Sequence, residues 1–229
     1  MSDPDPISRR ALLQIGLGAA AGAVGGGLLA QASSDPGCGP TPPEIEGPFY
    51  PTRDQPDENT DLTRITGHAE RAEGDVVYLS GQVLDDDCRP IAGALVEIWQ
   101  ANRHGRYHHE RDPNPAPVDP HFQGWGETLT DEQGRYSFKT ILPGAYPADE
   151  ARGWWRPPHI HFRVSKRGYR ELVTQMYFAG QELNAKDLLF NELSAEEQAK
   201  VAVALKRAPD GAEPGARAGR FDIGLRRVG

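Results

Sequence analysis

Basic residues are in deficit in this chain of 229 residues: 25 Lys and Arg stand against 33 Asp and Glu, a formal net charge of −8. A surface of that sign repels a polyanion, which argues against nucleic acid as a partner. Bulky apolar runs are missing too. The one apolar stretch, QIGLGAAAGAVGGGLLA, is mostly Gly and Ala, too weak for a stable membrane anchor. It follows Ser8-Arg9-Arg10-Ala11-Leu12-Leu13 and leads into Ala30-Gln31-Ala32, a small-x-small cleavage pattern. Residues 1–32 therefore look like a twin-arginine export signal, which predicts a periplasmic or extracellular protein. Such export often carries proteins already folded around a cofactor. Losing the segment leaves the charge unchanged, because Asp3 and Asp5 balance Arg9 and Arg10. Cysteine is nearly absent. Cys38 and Cys88 allow one disulfide in an oxidising compartment, and the sequence leaves open whether they meet.

What is present reads as β-structure. Residues 33–74 are rich in Pro, Asp and Glu with little periodicity, which predicts an extended arm. From Asp75 to the end, 75–229, strand signals take over. DVVYLSGQVLD alternates, with Val77, Leu79 and Val83 on one face, and GALVEIWQA sets Ala94, Val96 and Ile98 opposite Glu97 and Trp99. GETLTDEQGRYSFKTI reads as a hairpin turning at 131–134, with Tyr136 and Phe138 sharing a face. RELVTQMYF and GRFDIGLRR add two strands. Ser194 with Glu197 makes a capping box that opens one helix over roughly 194–206. Short strands, Gly and Pro turns and one short C-terminal helix predict a mainly β fold, an antiparallel β-sandwich with long loops. The irregular stretch from Asn102 to Gly124 is long for such a fold, and loops of that length often carry function.

The segment WWRPPHIHFRV, Trp154–Val164, puts two histidines two apart in a strand. His159, His161 and Arg163 share one face, while Ile160, Phe162 and Val164 face a core. A face that polar is either exposed or furnished with partners. A carboxylate is what it lacks: a cupin-type iron site wants a Glu shortly after the His pair, and Ser165 and Lys166 stand there instead. Tyrosines flank the pair, Tyr146 in PGAYP and Tyr107 in HGRYHH. A phenolate is a hard anionic oxygen ligand suited to a ferric ion. His108 and His109 offer competing ligands beside Tyr107. His68, His104 and His121 belong to no constellation and read as surface residues.

VEIWQANRHGRYHH, GWGETLTDEQGRYSFKTILPGAYP, WWRPPHIHFRV, LVTQMYFAG and RFDIGLR, in this order, resemble the intradiol ring-cleavage dioxygenases, and within them the protocatechuate-type branch. The chain has no room for the helical N-terminal domain of the catechol-type branch. The resemblance implies one Fe(III) per chain, held by Tyr107, Tyr146, His159 and His161. It implies Arg156 as the active-site cation and Gln175 as a supporting amide. His108 and His109 then stand aside from ligation. The implied substrates are a small aromatic diol and O2, and the implied product is a cis,cis-muconate. Tyr146 is the implied displaceable ligand, which leaves and takes up a proton. Ala148 stands where many members have Trp, which suggests a roomier or altered pocket. One chain holds the full ligand set, so assembly as a homo-oligomer and action alone both stay open.

A rival expectation comes from residues 80–147, which also look like the small non-catalytic sandwich modules of secreted proteins, resembling carboxypeptidase regulatory domains. Tyr107 and the RPPHIH run are the discriminating features, since a metal-free module has no reason to carry them.

Overall fold

The computed structural model describes residues 39–53, 55 and 57–229. The expected export signal and Cys38 lie outside them. Cys88 is held in a disulfide.

The first strands are β1 (Val76–Leu84), β2 (Leu95–Trp99), β3 (Trp125–Leu129), β4 (Arg135–Ile141), β5 (Tyr146–Asp149) and β6 (Trp154–Arg156). After them come β7 (His159–Ser165), β8 (Leu172–Phe178), β9 (Ala202–Val203), β10 (Lys206–Arg207), β11 (Arg217–Arg220) and β12 (Ile223–Gly224). Among the described residues they form two five-stranded sheets and the small pair β5-β6. In the first sheet β1 is flanked by β4, antiparallel, and by β11 then β12, both parallel. The second runs β3-β2-β7-β8-β9. It is antiparallel except at its β8-β9 edge.

The alternation read from the sequence decides what meets between the sheets. Leu79, Val83 and Phe138 from the first layer share one buried cluster with Val96, Ile98, Ile160, Phe162 and Val164 from the second. Each fully buried side chain of this size contributes about 1.5–3 kcal/mol from removal of apolar surface. Tyr136 joins the cluster and donates from its hydroxyl to Phe221 O at 2.5 Å.

Three local expectations need correction. Residues 125–141 are not a hairpin: β3 pairs with β2 and β4 with β1, in different sheets. The turn itself is tight, with Asp131 Oδ1 accepting from Gln133 N and Arg135 N and Gly134 at φ +71°. Its two exits are claimed by different layers. The buried Thr130 hydroxyl donates to Ile91 O and accepts from Ala94 N, tying one side to the start of β2. Val83 N donates to Gly134 O, tying the other to β1. Turn chemistry specifies a reversal, not which strands pair.

The helix is shorter than 194–206. The capping box is present, but α2 covers only Ala195–Val201. Ala202 and Val203 then pair with Tyr177 and Phe178 as β9, so sheet pairing wins over a helical continuation. Before it come a 3-10 turn, Glu182–Lys186, and a second helix, α1 (Leu188–Glu192), capped by Asp187. Finally, GRFDIGLRR is two short strands, not one. The chain bends at Phe221, whose backbone lies against β1: a Cβ on Gly81 would sit 1.8 Å from Phe221 O.

Between residues 39 and 75 the described chain holds no helix or strand beyond one isolated bridge, Asp61 to Lys139. In this arm, residues 44–50 lie on the outward face of the second sheet, while residues 60–62 bond to β4 of the first. Tyr50 packs edge-on against Trp99 at 5.0 Å and donates to Glu97 Oε1 at 2.6 Å. Glu97 and Trp99 are buried for that reason, although the alternation set them opposite the core.

Gly81 is the tightest of these contacts, and it should be the least replaceable. Gly81→Ala is expected to destabilise the fold by about 2 kcal/mol or more. Ser80→Ala, one residue away and exposed, should stay within about 0.5 kcal/mol. Urea titration of both variants checks this, and equal midpoints for the two would overturn the account of the bend.

Candidate metal centre

The outward face of β7 carries His159 and His161, which are 2% and 3% exposed. Ile160, Phe162 and Val164 point the other way, into the core between the sheets. Pro157 O lies 2.7 Å from His159 Nδ1. A carbonyl oxygen only accepts, so Nδ1 carries the proton and Nε2 presents a lone pair. That Nε2 lies 3.2 Å from His161 Nε2. The ring of His161 stacks on Trp99, its register partner in β2, at 4.7 Å and 8°.

Tyr107 comes from the long loop. Its hydroxyl lies 3.3 Å from His159 Nε2 and 3.1 Å from His161 Nε2. Side chains order this loop where regular pairing is absent. Asn102 Oδ1 accepts from His104 N and Arg106 N, Asp112 Oδ2 from Tyr107 N, and Asn114 Nδ2 donates to Gly105 O. Gly105 has φ +76°, and a Cβ there would sit 2.3 Å from Ala145 O. The loop is thus pressed onto the PGAYP turn, which brings Tyr107 and Tyr146 together. Their rings meet edge-on at 5.6 Å, and Tyr146 lies 5.7 Å from the His159 ring.

Arg156 is 4% exposed and pairs in register with Tyr146 across β5-β6. Its Nη2 donates to Gln175 Oε1 at 2.6 Å and to the Tyr177 hydroxyl at 3.2 Å. Its Nε lies 3.0 Å from Asp187 Oδ1, an ion pair whose N–H is not aimed at the oxygen. Asp187 also accepts from Trp154 Nε1 and caps α1 through Phe190 N.

Charge at this cluster is set by burial and by Arg156. Burial and the guanidinium hold both imidazoles well below the usual histidine range, so both are neutral. Burial pushes the Tyr107 and Tyr146 phenols up, and the guanidinium only partly offsets that. Two neutral imidazoles and a phenol therefore converge with their donor atoms 3.1–3.3 Å apart. Metal–ligand bonds of ~2.1 Å put neighbouring ligand atoms about 3 Å from one another. Among the described residues there is no group of three or more His, Cys, Asp and Glu side chains that could hold a metal ion. A centre here must draw on tyrosine, and the donor set fits a hard, high-charge ion such as ferric iron.

The six site residues inferred from the sequence are brought to one place. His109 is buried beside Phe49 at 5.8 Å, with Nδ1 accepting from Arg111 N, and His108 is exposed. His68 and His104 are exposed, and His121 is half-buried against His68. A cavity of about 390 Å³ opens beside Tyr107, lined also by Arg53, Arg106, His108 and His109. Neither His159 nor His161 lines it. Sequence reasoning missed the arm's part in this centre. Phe49 packs on Tyr107 at 4.8 Å and faces Tyr146 at 6.3 Å. Gly47, at φ +74°, brings the backbone over His161. The signal was an aromatic pair after Gly47-Pro48 in an otherwise polar, Pro-rich stretch. Tyr177 and Asp187 were missed as partners of Arg156.

Comparison with known proteins bears on the family. A family profile described as "Dioxygenase" matches residues 45–227. The chain is 40% identical over 199 residues to the protocatechuate 3,4-dioxygenase beta chain of Burkholderia cepacia, spanning 82% of this chain and 84% of that one. It is 33% identical over 171 residues to catechol 1,2-dioxygenase 2 of Acinetobacter lwoffii, spanning 66% of this chain and only 56% of that relative. The crystal structure of 3-chlorocatechol 1,2-dioxygenase from Rhodococcus opacus 1CP superposes with a TM-score of 0.65 at 25% identity, over 82% of this chain and 73% of that one. The match runs through the arm and both sheets, beyond the 80–147 segment that also suited a non-catalytic module, and the chain belongs to the intradiol ring-cleavage dioxygenases.

Proposed function

We propose that this dioxygenase binds one ferric ion on Tyr107, Tyr146, His159 and His161, and opens protocatechuate or a related catechol with O2 between its hydroxylated carbons to a cis,cis-muconate. The convergence of Tyr107 Oη with the two Nε2 atoms carries the reading. Bound iron supplies Lewis acidity and a template for the diol and O2.

The rest is the work of this chain's own side chains. Pro157 O holds His159 in the tautomer whose Nε2 is free to ligate;. Stacking on Trp99 fixes the plane of His161. Tyr146 Oη would accept a proton only from the phenolate form that would hold the ion; burial favours its neutral phenol, so a proton taken from a substrate hydroxyl would stay there;. Arg156 offers a fixed positive charge beside the reacting ring, in a site with little water to reorganise. Gln175 aims it, and is itself tied to the arm through Nε2 to Ile45 O at 3.1 Å. Phe49 and Tyr50 exclude solvent. Ala148 is exposed, and a small residue there leaves room for catechols bulkier than protocatechuate.

Residues 1–32 serve as a twin-arginine export signal in this reading, the arm covers 33–74, and the catalytic domain 75–229. No described helix is long and apolar enough to cross a membrane.

Three outcomes are expected. Protein from iron-rich medium should carry about one iron per chain and a broad visible band from phenolate-to-iron charge transfer. Tyr107→Phe should weaken iron retention and lose or shift that band, while Tyr146→Phe should keep iron and turn over slowly. Metal analysis and absorption spectra decide, and a colourless protein with stoichiometric zinc would sink the ferric assignment.

A panel of substituted catechols, followed by oxygen uptake and mass spectrometry, should yield muconates. A semialdehyde, or no uptake by iron-loaded protein across the panel, would overturn the proposed reaction. Arg9→Lys with Arg10→Lys should leave the protein in the cytoplasm, because the transporter reads the arginine pair. Cell fractionation tests this, and unaffected export of the double variant would count against the signal.

A further inference from the structure

One half-buried carboxyl has no part in the roles assigned so far. Glu44 sits in a piece of the arm stitched along β8. Glu44 N donates to Val173 O at 2.9 Å, Thr174 Oγ1 to Pro42 O at 2.8 Å, and Gln175 Nε2 to Ile45 O at 3.1 Å. The neighbouring Ile45 is 56% exposed, whereas the Glu44 side chain turns inward. The Tyr177 hydroxyl donates to Glu44 Oε2 at 2.7 Å. The same hydroxyl oxygen accepts from Arg156 Nη2 at 3.2 Å. The other carboxyl oxygen, Oε1, is buried without a hydrogen-bond partner. A chain of hydrogen bonds thus runs from the guanidinium through a phenol to an acid that nothing else neutralises directly.

We propose that Glu44 is a positioning residue for the ring-opening reaction: its carboxylate, acting through the Tyr177 hydroxyl, holds Arg156 in place beside the metal centre, so that turnover follows the charge on Glu44. The inference rests on the catechol-opening reading and adds a control to it. The charged and titratable groups facing Glu44 are Tyr177 from β8, Arg156 from β6 and Asp187 from the cap of α1. Burial is the largest influence and pushes the carboxyl up. The Tyr177 hydrogen bond and the Arg156 charge pull it back, Asp187 pushes it up again, and the result is about 7 from an ordinary 4.5. Burial and the Glu44 charge push the Tyr177 phenol far up, so it keeps its proton. The proton that moves near neutrality is the one on Glu44.

Charge-assisted hydrogen bonds are roughly twice as strong as neutral ones, and linked bonds polarise one another. With Glu44 ionised, Tyr177 is a stronger acceptor for Arg156. With Glu44 protonated, the chain ends in a neutral acid and the guanidinium is held mainly by Gln175 and Asp187. The stability effect has the opposite sign. A carboxyl raised by folding binds its proton more tightly in the folded state. Its contribution is fully present below the unfolded value of 4.5 and is lost as pH rises through about 7;.

Iron-loaded wild type and Glu44→Gln, with equal metal content, should be compared for kcat on a catechol across the neutral range, and for stability in urea at acid and alkaline ends of it. Wild-type kcat should fall on the acid side of about 7. Glu44→Gln, a permanent mimic of the protonated acid, should lose that inflection and run at the wild type's acid-side rate throughout. Its stability relative to wild type should increase as pH rises. An active wild type whose pH profile the variant shares, or a stability difference that does not change with pH, would overturn the role of Glu44 alone. A wild type that opens no catechol would instead bring down the catechol reading, and this inference with it.

Discussion

A guanidinium that is almost wholly buried must be answered by its surroundings, because an isolated charge in a protein interior costs several kcal/mol. Arg156 is answered from four directions: Asp187 at the cap of α1, Gln175 and Tyr177 on β8, and the ring of Trp154, which lies under the guanidinium at 6.0 Å and has its own bond to Asp187. The partners sit at the cap of α1, on β8 and on β6 itself, so the arginine ties α1, β6 and β8 together. Glu44 brings in the arm through Tyr177. Burial, helped by the same positive charge, holds His159 and His161 neutral, and that charge partly offsets the burial that keeps Tyr107 and Tyr146 protonated. Without a cation at the centre, all four candidate ligands are neutral. A metal ion of high charge would stabilise a phenolate there, since it would stand in for the water that an anion in this setting has lost.

The second sheet has two buried faces of opposite character. One contributes Ile160, Phe162 and Val164 to the core; the other carries imidazoles and indoles under the arm and the long loop. Neither cover is regular structure. The arm docks by backbone bonds to β8 and by Phe49 and Tyr50, and the loop by the amide and carboxylate bonds of Asn102, Asp112 and Asn114. Irregular cover suits this task. A further strand would place alternate side chains toward the site at fixed spacing, whereas the loop delivers Tyr107 alone and turns His108 to solvent.

What was legible in the sequence followed from period two. Alternation in β1, β2 and β7 fixed which residues face the core, and the His-x-His spacing placed two donors on the opposite face. Motif resemblance added Tyr107 and Tyr146, which no periodicity relates, since one is delivered by a side-chain-bonded loop and the other by a turn. What stayed hidden depends on pairing over long distances. The 131–134 turn looks the same whether it closes a hairpin or a corner between layers; Thr130 and Val83 decide, and both act through partners far along the chain. The end of α2 is similar, because its last residues are drawn off by β8. Cover by the arm was invisible because Pro-rich, non-periodic sequence carries no facing pattern.

The arm therefore changes character once its contacts are counted. Its composition suggested a tether, yet Gly47, Phe49 and Tyr50 cover the candidate metal centre, while Glu44 and Ile45 reach the residues that hold Arg156. An element without helix or strand has few backbone bonds of its own, so it keeps this position through the sheet it covers. Order in the arm and order at the centre are then one property. A change that loosens β8 from the arm frees Gln175 and Tyr177 together, and with them the aim of Arg156. The family profile begins at residue 45, inside this segment, as expected if the catalytic unit includes the cover as well as the sandwich beneath it.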